Sequence, residues 1–193
     1  MVDSGGQYHY GTTDVTRTVS LENKSKFVKE VFTRVLKGHL NLSNFKIKKN
    51  TSGSILDKIA RKSLKSIKLD YAHGTGHGVG YFLNVHEGPQ SISRLNKLKL
   101  KPGMILSNEP GYYKKGKFGL RIENLIYTKK SKMGIKFENL TYAPIDKSLI
   151  IKKLLNNKEV EWLNLYHQNV FKTLKKYMNK KELIFLKNSC SNI

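Results

Sequence analysis

The sequence predicts a mixed α+β fold that ends in a helical appendage, and two observations carry this prediction. Residues 1–20 alternate in polarity and are interrupted by glycine, which is typical of two short strands joined by a turn. From Glu22 onward, and again near the C-terminus, apolar residues recur every three or four positions, which is typical of amphipathic helices. With 193 residues, the chain can bury a hydrophobic core but is too short for two large domains.

The segments after the N-terminal strands follow from their patterns in order. The first predicted helix places apolar residues on one face, which are Phe27, Val28, Val31, Phe32, Val35, Leu36 and Leu40. A second helix is predicted over 54–67, with inward residues Ile55, Ile59, Leu64 and Ile67. Four glycines between Gly74 and Gly80 end any helix there and predict a place where the backbone approaches a ligand closely.

The second half of the chain changes from strands to helix. Short strands separated by turns are predicted over 103–107, 119–128 and 137–143. Residues 159–178 then carry the spacing of a helical face, and residues 181–186 predict a further turn or two. The sequence shows no internal repeat and no long low-complexity linker, so we expect one body with a helical C-terminal extension.

Composition excludes several classes of protein. No apolar run approaches the roughly 20 residues that span a bilayer. The first residues also lack the cationic-then-apolar pattern of a signal peptide. Cys190 is the only cysteine, which excludes a disulfide framework and a cysteine-based zinc site. We therefore expect a protein of a reducing compartment, the cytoplasm, with no membrane partner.

The net charge is unusually positive, because 36 basic and 14 acidic residues give +22. Such an excess by itself suggests a nucleic acid or an anionic membrane as partner. However, only five of the basic residues are arginine, which base reading and forked phosphate contacts favour, and the lysines are spread along the whole chain. We interpret the charge as solvated surface, with a functional polyanion site as the open alternative, and do not expect nucleic acid as a partner.

Five side chains could together form a chemical site, which are Asp3, Asp14, His77, Glu109 and Glu123. A tight turn between the N-terminal strands can bring Asp3 and Asp14 close together. Four carboxylates and one imidazole suit two hard or borderline divalent ions, which can turn a water between them into a nucleophile near neutral pH. Taken singly, each acid is more simply a surface residue, and composition and spacing alone do not join the five.

Six ordered sequence blocks do join them. The blocks are DSGGQY from Asp3, GTTDVTRT from Gly11, HGTGHGVG from His73, FLNVHEGP from Phe82, NEPGYY from Asn108 and GLRIEN from Gly119. They closely resemble the catalytic domain of the Xaa-Pro aminopeptidases (aminopeptidase P) in the pita-bread metallopeptidase family. The segment EWLNLYH from Glu161 resembles the C-terminal extension of the long eukaryotic-type enzymes, so the resemblance covers nearly the whole chain.

The resemblance implies the pita-bread (creatinase/aminopeptidase-like) α+β fold, in which a curved antiparallel sheet carries the metals and helices lie outside. Residues 1–145 would be a partial catalytic domain, and residues 146–193 would be a helical extension of aminopeptidase P type. Family members carry further segments and another active-site histidine before the first ligand strand. We therefore expect an N-terminally truncated fold with uncovered sheet and helix surface that is prone to association.

The resemblance also implies a set of metal ligands. Asp14 and Glu123 would bridge two divalent ions. Asp3 would serve one ion, and His77 and Glu109 the other. The ions would most often be Mn(II), with Zn(II) or Co(II) as alternatives. Glu109 would also be the general base, because a carboxylate beside the attacking water can take its proton and later deliver it to the leaving nitrogen.

Four further residues would face the substrate. His73 and His86 would hydrogen-bond the peptide near its scissile carbonyl and stabilise the developing negative charge. Arg121 would orient carboxylates or substrate, and Tyr113 would line the pocket. Structural or surface roles are expected for the histidines outside every motif, which are His9, His39 and His167.

The expected function is that of a dinuclear-metal aminopeptidase, which uses a metal-bridged hydroxide to release the N-terminal residue from peptides with proline at the second position. The alternative is a truncated, catalytically incompetent metal-binding module or fragment of such an enzyme. A prolidase or methionine aminopeptidase is a weaker enzyme alternative, because the glycine–histidine block and residues 82–89 are closer to aminopeptidase P. The resemblance leaves a homodimer open.

Overall fold

A computed structural model describes residues 1–132 and 134–193 and confirms the mixed α+β architecture. The strands are β1 (Val2–Tyr8), β2 (Gly11–Arg17), β3 (Gly76–His77), β4 (Ser91–Ile92), β5 (Ile105–Asn108), β6 (Gly111–Lys114), β7 (Phe118–Arg121), β8 (Asn124–Ser131) and β9 (Gly134–Asn139). The α-helices are α1 (Lys26–Ser43), α2 (Gly53–Lys65), α3 (Asn157–Leu174) and α4 (Lys180–Ser189). Each predicted segment therefore has a counterpart in the fold, although most boundaries shift by a few residues.

The N-terminal hairpin turns both of its aspartates to one side. Strands β1 and β2 pair antiparallel, with Asp3 opposite Thr16 and Gly5 opposite Asp14. Because side chains alternate between the two faces of a strand, and directly paired residues share a face, Asp3, Asp14 and Thr16 project from the same face. The register of the hairpin thus explains how two acids that are distant in sequence reach one site.

Helix α2 and the turn after it bury most of the predicted inward residues: Leu64 is buried, Ile59 and Ile67 pack against the core, and one residue departs from the prediction. Ile55 was expected inside but is 40% exposed. The apolar residues that α2 buries are Leu56, Ala60 and Leu64. The same face also buries a charged pair, in which the Arg61 guanidinium donates to both carboxylate oxygens of Asp57 at 2.8 and 2.9 Å. The apolar pattern misplaced Ile55 because it does not register an interior ion pair such as Asp57–Arg61.

A three-stranded antiparallel sheet brings two acids that are distant in sequence to one end of the sheet. Its order is β5–β8–β9, and smaller pairs form between β3 and β4 and between β6 and β7. Asn108, the last residue of β5, pairs with Asn124, the first residue of β8. Glu109 follows the one and Glu123 precedes the other, so the topology places both carboxylates at the same end of the sheet.

The C-terminal extension packs on the first helix. Helices α3 and α4 each begin with a capping box, built on Asn156 and Asn179. Leu163 and Val170 of α3 are fully buried in the same apolar cluster as Val31, Phe32, Val35 and Leu36 of α1. Within the described ranges, no helix is both long enough and apolar enough to cross a lipid bilayer.

The buried imidazole of His167 predicts how stability depends on pH. Burial, together with the positive charges of Lys147 and Arg17, lowers the pKa of His167 from 6.5 to about 4. The unfolded chain regains the ordinary pKa, so it binds more protons than the folded chain between these values. The contribution of His167 to the free energy of unfolding therefore falls as pH falls from 6.5 to 4.

We predict that His167→Gln makes this decline shallower by about 2 kcal/mol between pH 7 and pH 4.5, which is most of the value of the pKa shift. The glutamine oxygen can still accept the hydrogen bond that the Ile145 N–H donates to His167 Nε2 at 3.1 Å. Urea denaturation at pH 7 and pH 4.5 measures the difference. The exposed His9, changed to Gln, is the control and should keep the slope of the unsubstituted chain. An unchanged slope in His167→Gln would contradict the assignment.

Candidate metal centre

The site residues named from the sequence converge on one cleft of about 620 Å³. It lies between the N-terminal hairpin, the glycine-rich segment and the ends of β5 and β8. The predicted residues that line it are Asp3, Asp14, His73, His77, His86, Glu109, Tyr113, Arg121 and Glu123. All nine therefore share one cavity, and their arrangement inside it can be compared with the expected roles.

Three of the predicted ligands form the centre of the cleft. One ligand atom each from Asp14, His77 and Glu123 lies within 4.8 Å of the other two, a spacing that one metal ion can span. His77 Nε2 is 3.3 Å from Asp14 Oδ2 and 3.5 Å from Glu109 Oε1. Glu109 thus lies directly beside the group of three.

Asp3 lies at the rim of the cleft and not in the central group. Its side chain is 55% exposed, and its carboxylate is paired with the guanidinium of Arg121. The hairpin register nonetheless keeps Asp3 on the same face as Asp14. The structure therefore gathers four of the five expected ligands closely and holds the fifth in an ion pair nearby.

The imidazole of His77 is oriented as a metal ligand requires. Its Nδ1 lies 2.9 Å from the Gly78 carbonyl oxygen, which can only accept, so Nδ1 carries a proton and Nε2 faces the carboxylates. Burial works against a charged ring, but the hydrogen bond and charge of Asp14, the Gly78 carbonyl and the charge of Glu109 together raise the pKa of His77. The site therefore favours positive charge at Nε2, whether from a proton or from a cation.

The raised pKa of Glu123 indicates uncompensated negative charge at the centre of the cleft. Burial, followed by the charges of Glu109 and Asp14, raises the pKa of Glu123 to about 7, although the Thr16 hydroxyl donates to its carboxylate at 2.6 Å and opposes the shift. Carboxylates crowded in this way repel one another until a cation joins them. Carboxylate oxygens with one imidazole nitrogen are donors that suit hard or borderline divalent ions, so the residues present fit such ions.

A single guanidinium links the hairpin to the wall of the cleft. Arg121 Nε donates to Thr16 Oγ1 at 2.9 Å, and its Nη1 donates to the Tyr113 hydroxyl at 2.9 Å. The same hydroxyl lies 3.0 Å from His73 Nε2. With the ion pair to Asp3, these contacts join Arg121 to side chains of three different elements, β1, β2 and β6.

A buried network that the sequence analysis missed supports His73 and Glu109 from below. Arg61 Nη2 donates to the His73 carbonyl at 2.6 Å, and Asp57 accepts from the Thr75 hydroxyl at 2.7 Å. The Thr75 carbonyl in turn accepts from the Glu109 N–H at 2.8 Å. The opposite charges of Asp57 and Arg61, four residues apart on a helix, were the available sequence signal.

The glycine-rich segment packs closely against other segments of the chain. This finding corrects the expectation that its glycines let the backbone approach a bound ligand. A Cβ at Gly76 would lie 2.0 Å from the Ser107 carbonyl oxygen, and one at Gly78 would lie 2.0 Å from the Glu87 carbonyl oxygen. Only glycine lets β3 lie this close to β5 and to the loop that follows it. His77 lies between these two contacts. The glycines therefore fix the position of a predicted metal-binding side chain and do not themselves contact a bound molecule.

Two hydroxyl groups complete the site and were also missed. Thr16 binds the carboxylate of Glu123, and Ser107 donates to Glu109 Oε1 at 2.9 Å while accepting from the His77 N–H at 2.9 Å. Thr16 follows Asp14 by two positions and Ser107 precedes Glu109 by two. The period of two along β2, which places Asp14 and Thr16 on one face, would have found Thr16, and the same spacing continued past the end of β5 would have found Ser107.

Comparison with known proteins gives a consistent result along the chain. Residues 1–130 match the sequence model of metallopeptidase family M24, and residues 134–193 match that of the C-terminal region of peptidase M24. Aminopeptidase P2 from Arabidopsis thaliana is 50% identical over 181 residues, which are 89% of this chain and 26% of that protein.

Solved structures show the same likeness. An X-prolyl aminopeptidase from Caenorhabditis elegans, described as a cytosolic enzyme with a di-nuclear active site, has a TM-score of 0.93 at 42% identity, over 99% of this chain and 33% of that one. A prolidase from Pyrococcus horikoshii has a TM-score of 0.66 at 29% identity, over 74% of this chain and 40% of that one. The chain thus spans about a quarter to a third of the length of the two aminopeptidases.

The contact at Gly76 predicts a large effect of one methyl group. Gly76→Ala should lower the free energy of unfolding by about 3 kcal/mol, because the new Cβ meets a main-chain oxygen that cannot move aside. Gly11→Ala is the matched control, since a Cβ there has no atom within 4 Å. Urea denaturation compares the two variants, and equal stabilities would contradict the packing role of Gly76.

The crowded carboxylates predict that divalent metal stabilises the fold. Mn(II) at about 100 times its dissociation constant should raise the free energy of unfolding by about 2.7 kcal/mol, and chelation should reverse the gain. Asp14→Asn should lose most of this gain, whereas Glu161→Gln, on the exposed side of α3, should keep it. Thermal unfolding with Mn(II) and with chelator measures the effect, and a melting temperature indifferent to metal would count against the centre.

Proposed function

Because the chain belongs to metallopeptidase family M24, we propose that it forms the metal-binding portion of an Xaa-Pro aminopeptidase, which releases the N-terminal residue from peptides with proline at the second position. The observation that carries the proposal is the group of Asp14, His77 and Glu123, with Glu109 beside it. The names of the relatives support the substrate class. The short distances among the ligand atoms of Asp14, His77 and Glu123 support metal binding.

Two divalent ions are proposed for the site, with Mn(II) first and Zn(II) or Co(II) as alternatives. Asp14 and Glu123 would bind both ions. Asp3 would bind one, and His77 and Glu109 the other. When bound, such ions lower the pKa of a water molecule and polarise a peptide carbonyl.

Glu109 is proposed to move the proton. Its carboxylate is oriented by the Ser107 hydroxyl at 2.9 Å and lies 3.9 Å from Arg121 Nε. Held between these two groups, the carboxylate takes a proton from the attacking water and delivers it to the leaving nitrogen. The fixed orientation matters because proton transfer needs the carboxylate within hydrogen-bonding reach of both atoms.

The opposite wall is proposed to bind the substrate. His73 and Tyr113 contact each other there, and the ring of His86 packs edge-on against His77 with centroids 4.0 Å apart. Burial raises the pKa of Tyr113, and the charges of Glu109 and Glu123 act in the same direction, against the opposing contact from Arg121. The phenol therefore stays protonated at neutral pH and can donate to a carbonyl oxygen as negative charge develops on it.

Three further assignments complete the proposal. We place the protein in the cytoplasm, a location supported by the description of the Caenorhabditis elegans neighbour as cytosolic. We also keep the division between a catalytic part over residues 1–145 and a helical extension over residues 146–193. The partner in this proposal is a peptide with proline at the second position.

Release of the first residue from an Arg-Pro-Pro peptide by the 193-residue chain tests the proposal. We expect release with Mn(II) and none with chelator. Glu109→Gln should lower the rate by a factor of about 10² to 10⁴, the usual contribution of a general base. Glu161→Gln should retain the unsubstituted rate. Equal rates for the two variants would remove Glu109 as the base.

A different result would support the alternative function. Saturable metal binding by a folded chain without any peptide release would mean that the chain is a metal-binding module that is not a competent peptidase by itself. Calorimetric titration with Mn(II), run on the same preparation, separates this outcome from a failure of the metal centre.

A further inference from the structure

The C-terminal extension reaches the metal centre through one arginine. Arg17 ends β2, three residues after Asp14, and its guanidinium donates to six acceptors. One of these acceptors is the hydroxyl of Tyr166 in α3, at 2.8 Å. Another is the main-chain carbonyl of Glu123, at 2.6 Å. A side chain of the extension and a central acid of the cleft thus share one guanidinium.

The backbone of Glu123 is held on both sides by the end of β2. Its N–H donates to the Thr16 carbonyl at 3.1 Å, and its carbonyl accepts from Arg17 Nη1. Its carboxylate also accepts from the Thr16 hydroxyl. Arg17 Nη2 further binds Asn124 Oδ1 at 2.7 Å, so the residue after Glu123 is fixed as well. The orientation of Glu123 therefore depends on where the guanidinium of Arg17 lies.

Tyr166 is the residue of α3 that helps to place this guanidinium. Besides accepting from Arg17, its hydroxyl lies 2.8 Å from the Ala143 carbonyl, which also accepts from Arg17 Nη2 at 2.8 Å. The next residue, His167, accepts from the Ile145 N–H. Two consecutive residues of α3 thus fix residues 143–145, the segment whose carbonyls accept from Arg17. Tyr166 itself is only 8% exposed, so it has little freedom to move.

We propose that the C-terminal extension is a working part of the metal centre, with Tyr166 and Arg17 as positioning residues that set the orientation of Glu123. The inference rests on the proposed function, because it assumes that Glu123 binds metal. Neither residue lines the cleft, so both act through Glu123 and not on the substrate. Partners of metal ligands commonly change metal affinity by about 10- to 100-fold when they are removed.

Tyr166→Phe is the direct test, because it removes one oxygen and keeps the buried ring. We expect Mn(II) to bind about 10-fold more weakly by calorimetric titration. We also expect a changed visible absorption spectrum of the Co(II)-loaded chain, which reports ligand geometry. Tyr177→Phe is the control, since Tyr177 lies in the same extension and is 68% exposed. It should leave both measurements unchanged.

A second comparison separates positioning from general loss of stability. Leu186→Ala opens a cavity at a buried residue of α4, a different helix from that of Tyr166, and should lower the melting temperature while leaving metal affinity unchanged. Arg17→Lys provides an independent variant in case Tyr166→Phe fails to fold. Lysine keeps the positive charge but cannot bind several acceptors as a planar fork, so the same loss of affinity is expected.

The possible results have distinct meanings. A folded Tyr166→Phe chain with unsubstituted Mn(II) affinity and Co(II) spectrum would overturn the inference alone. Equal loss of affinity in Leu186→Ala would also overturn it, because the effect would then be one of stability. Absence of saturable metal binding in the unsubstituted chain would overturn the proposed metal centre, and the inference with it.

Discussion

The repulsion among crowded carboxylates is the constraint on which the rest of this structure depends. Asp14, Glu109 and Glu123 meet around one imidazole, and the pKa of Glu123, raised to about 7, shows how strongly burial and neighbouring charge disfavour its ionised form. A chain that keeps such groups together must prevent each from turning toward solvent. The hydroxyls of Thr16 and Ser107 and the surrounding arginines provide this restraint, at a centre that a divalent cation would complete.

Arginine and lysine divide their tasks clearly in this protein. Only five of the 36 basic residues are arginine, yet three of them, Arg17, Arg61 and Arg121, form the supports around the cleft. Each binds several acceptors on different elements, and a planar guanidinium offers five donors in a rigid fork where an ammonium group offers three. Lysine, by contrast, supplies most of the surface charge. Lysine therefore accounts for most of the charge excess, whereas arginine forms the supports around the cleft. The composition alone does not reveal this division.

Sequence patterns predicted the structural features that depend on residues close together in the chain. They missed the contacts between residues that are far apart in the chain. Alternation gave the hairpin that carries Asp3 and Asp14, and the resemblance of ordered blocks gave the set of residues that line the cleft. The contact between Arg17 and Tyr166 joins residues 149 positions apart and leaves no local signal in the sequence. The glycines near His77 were misinterpreted for a similar reason, because the backbone that approaches them belongs to other segments.

The acceptors of Arg17 have a consequence for how freely the surrounding sequence can vary. Four of its six acceptors are main-chain carbonyls, including those of Ala143 and Pro144, and every amino acid supplies a carbonyl. The guanidinium therefore specifies the path of the chain there and not the identity of its side chains. Protein engineers could diversify positions 143 and 144 while the joint between the two parts of the molecule persists, provided that the local course of the backbone is kept.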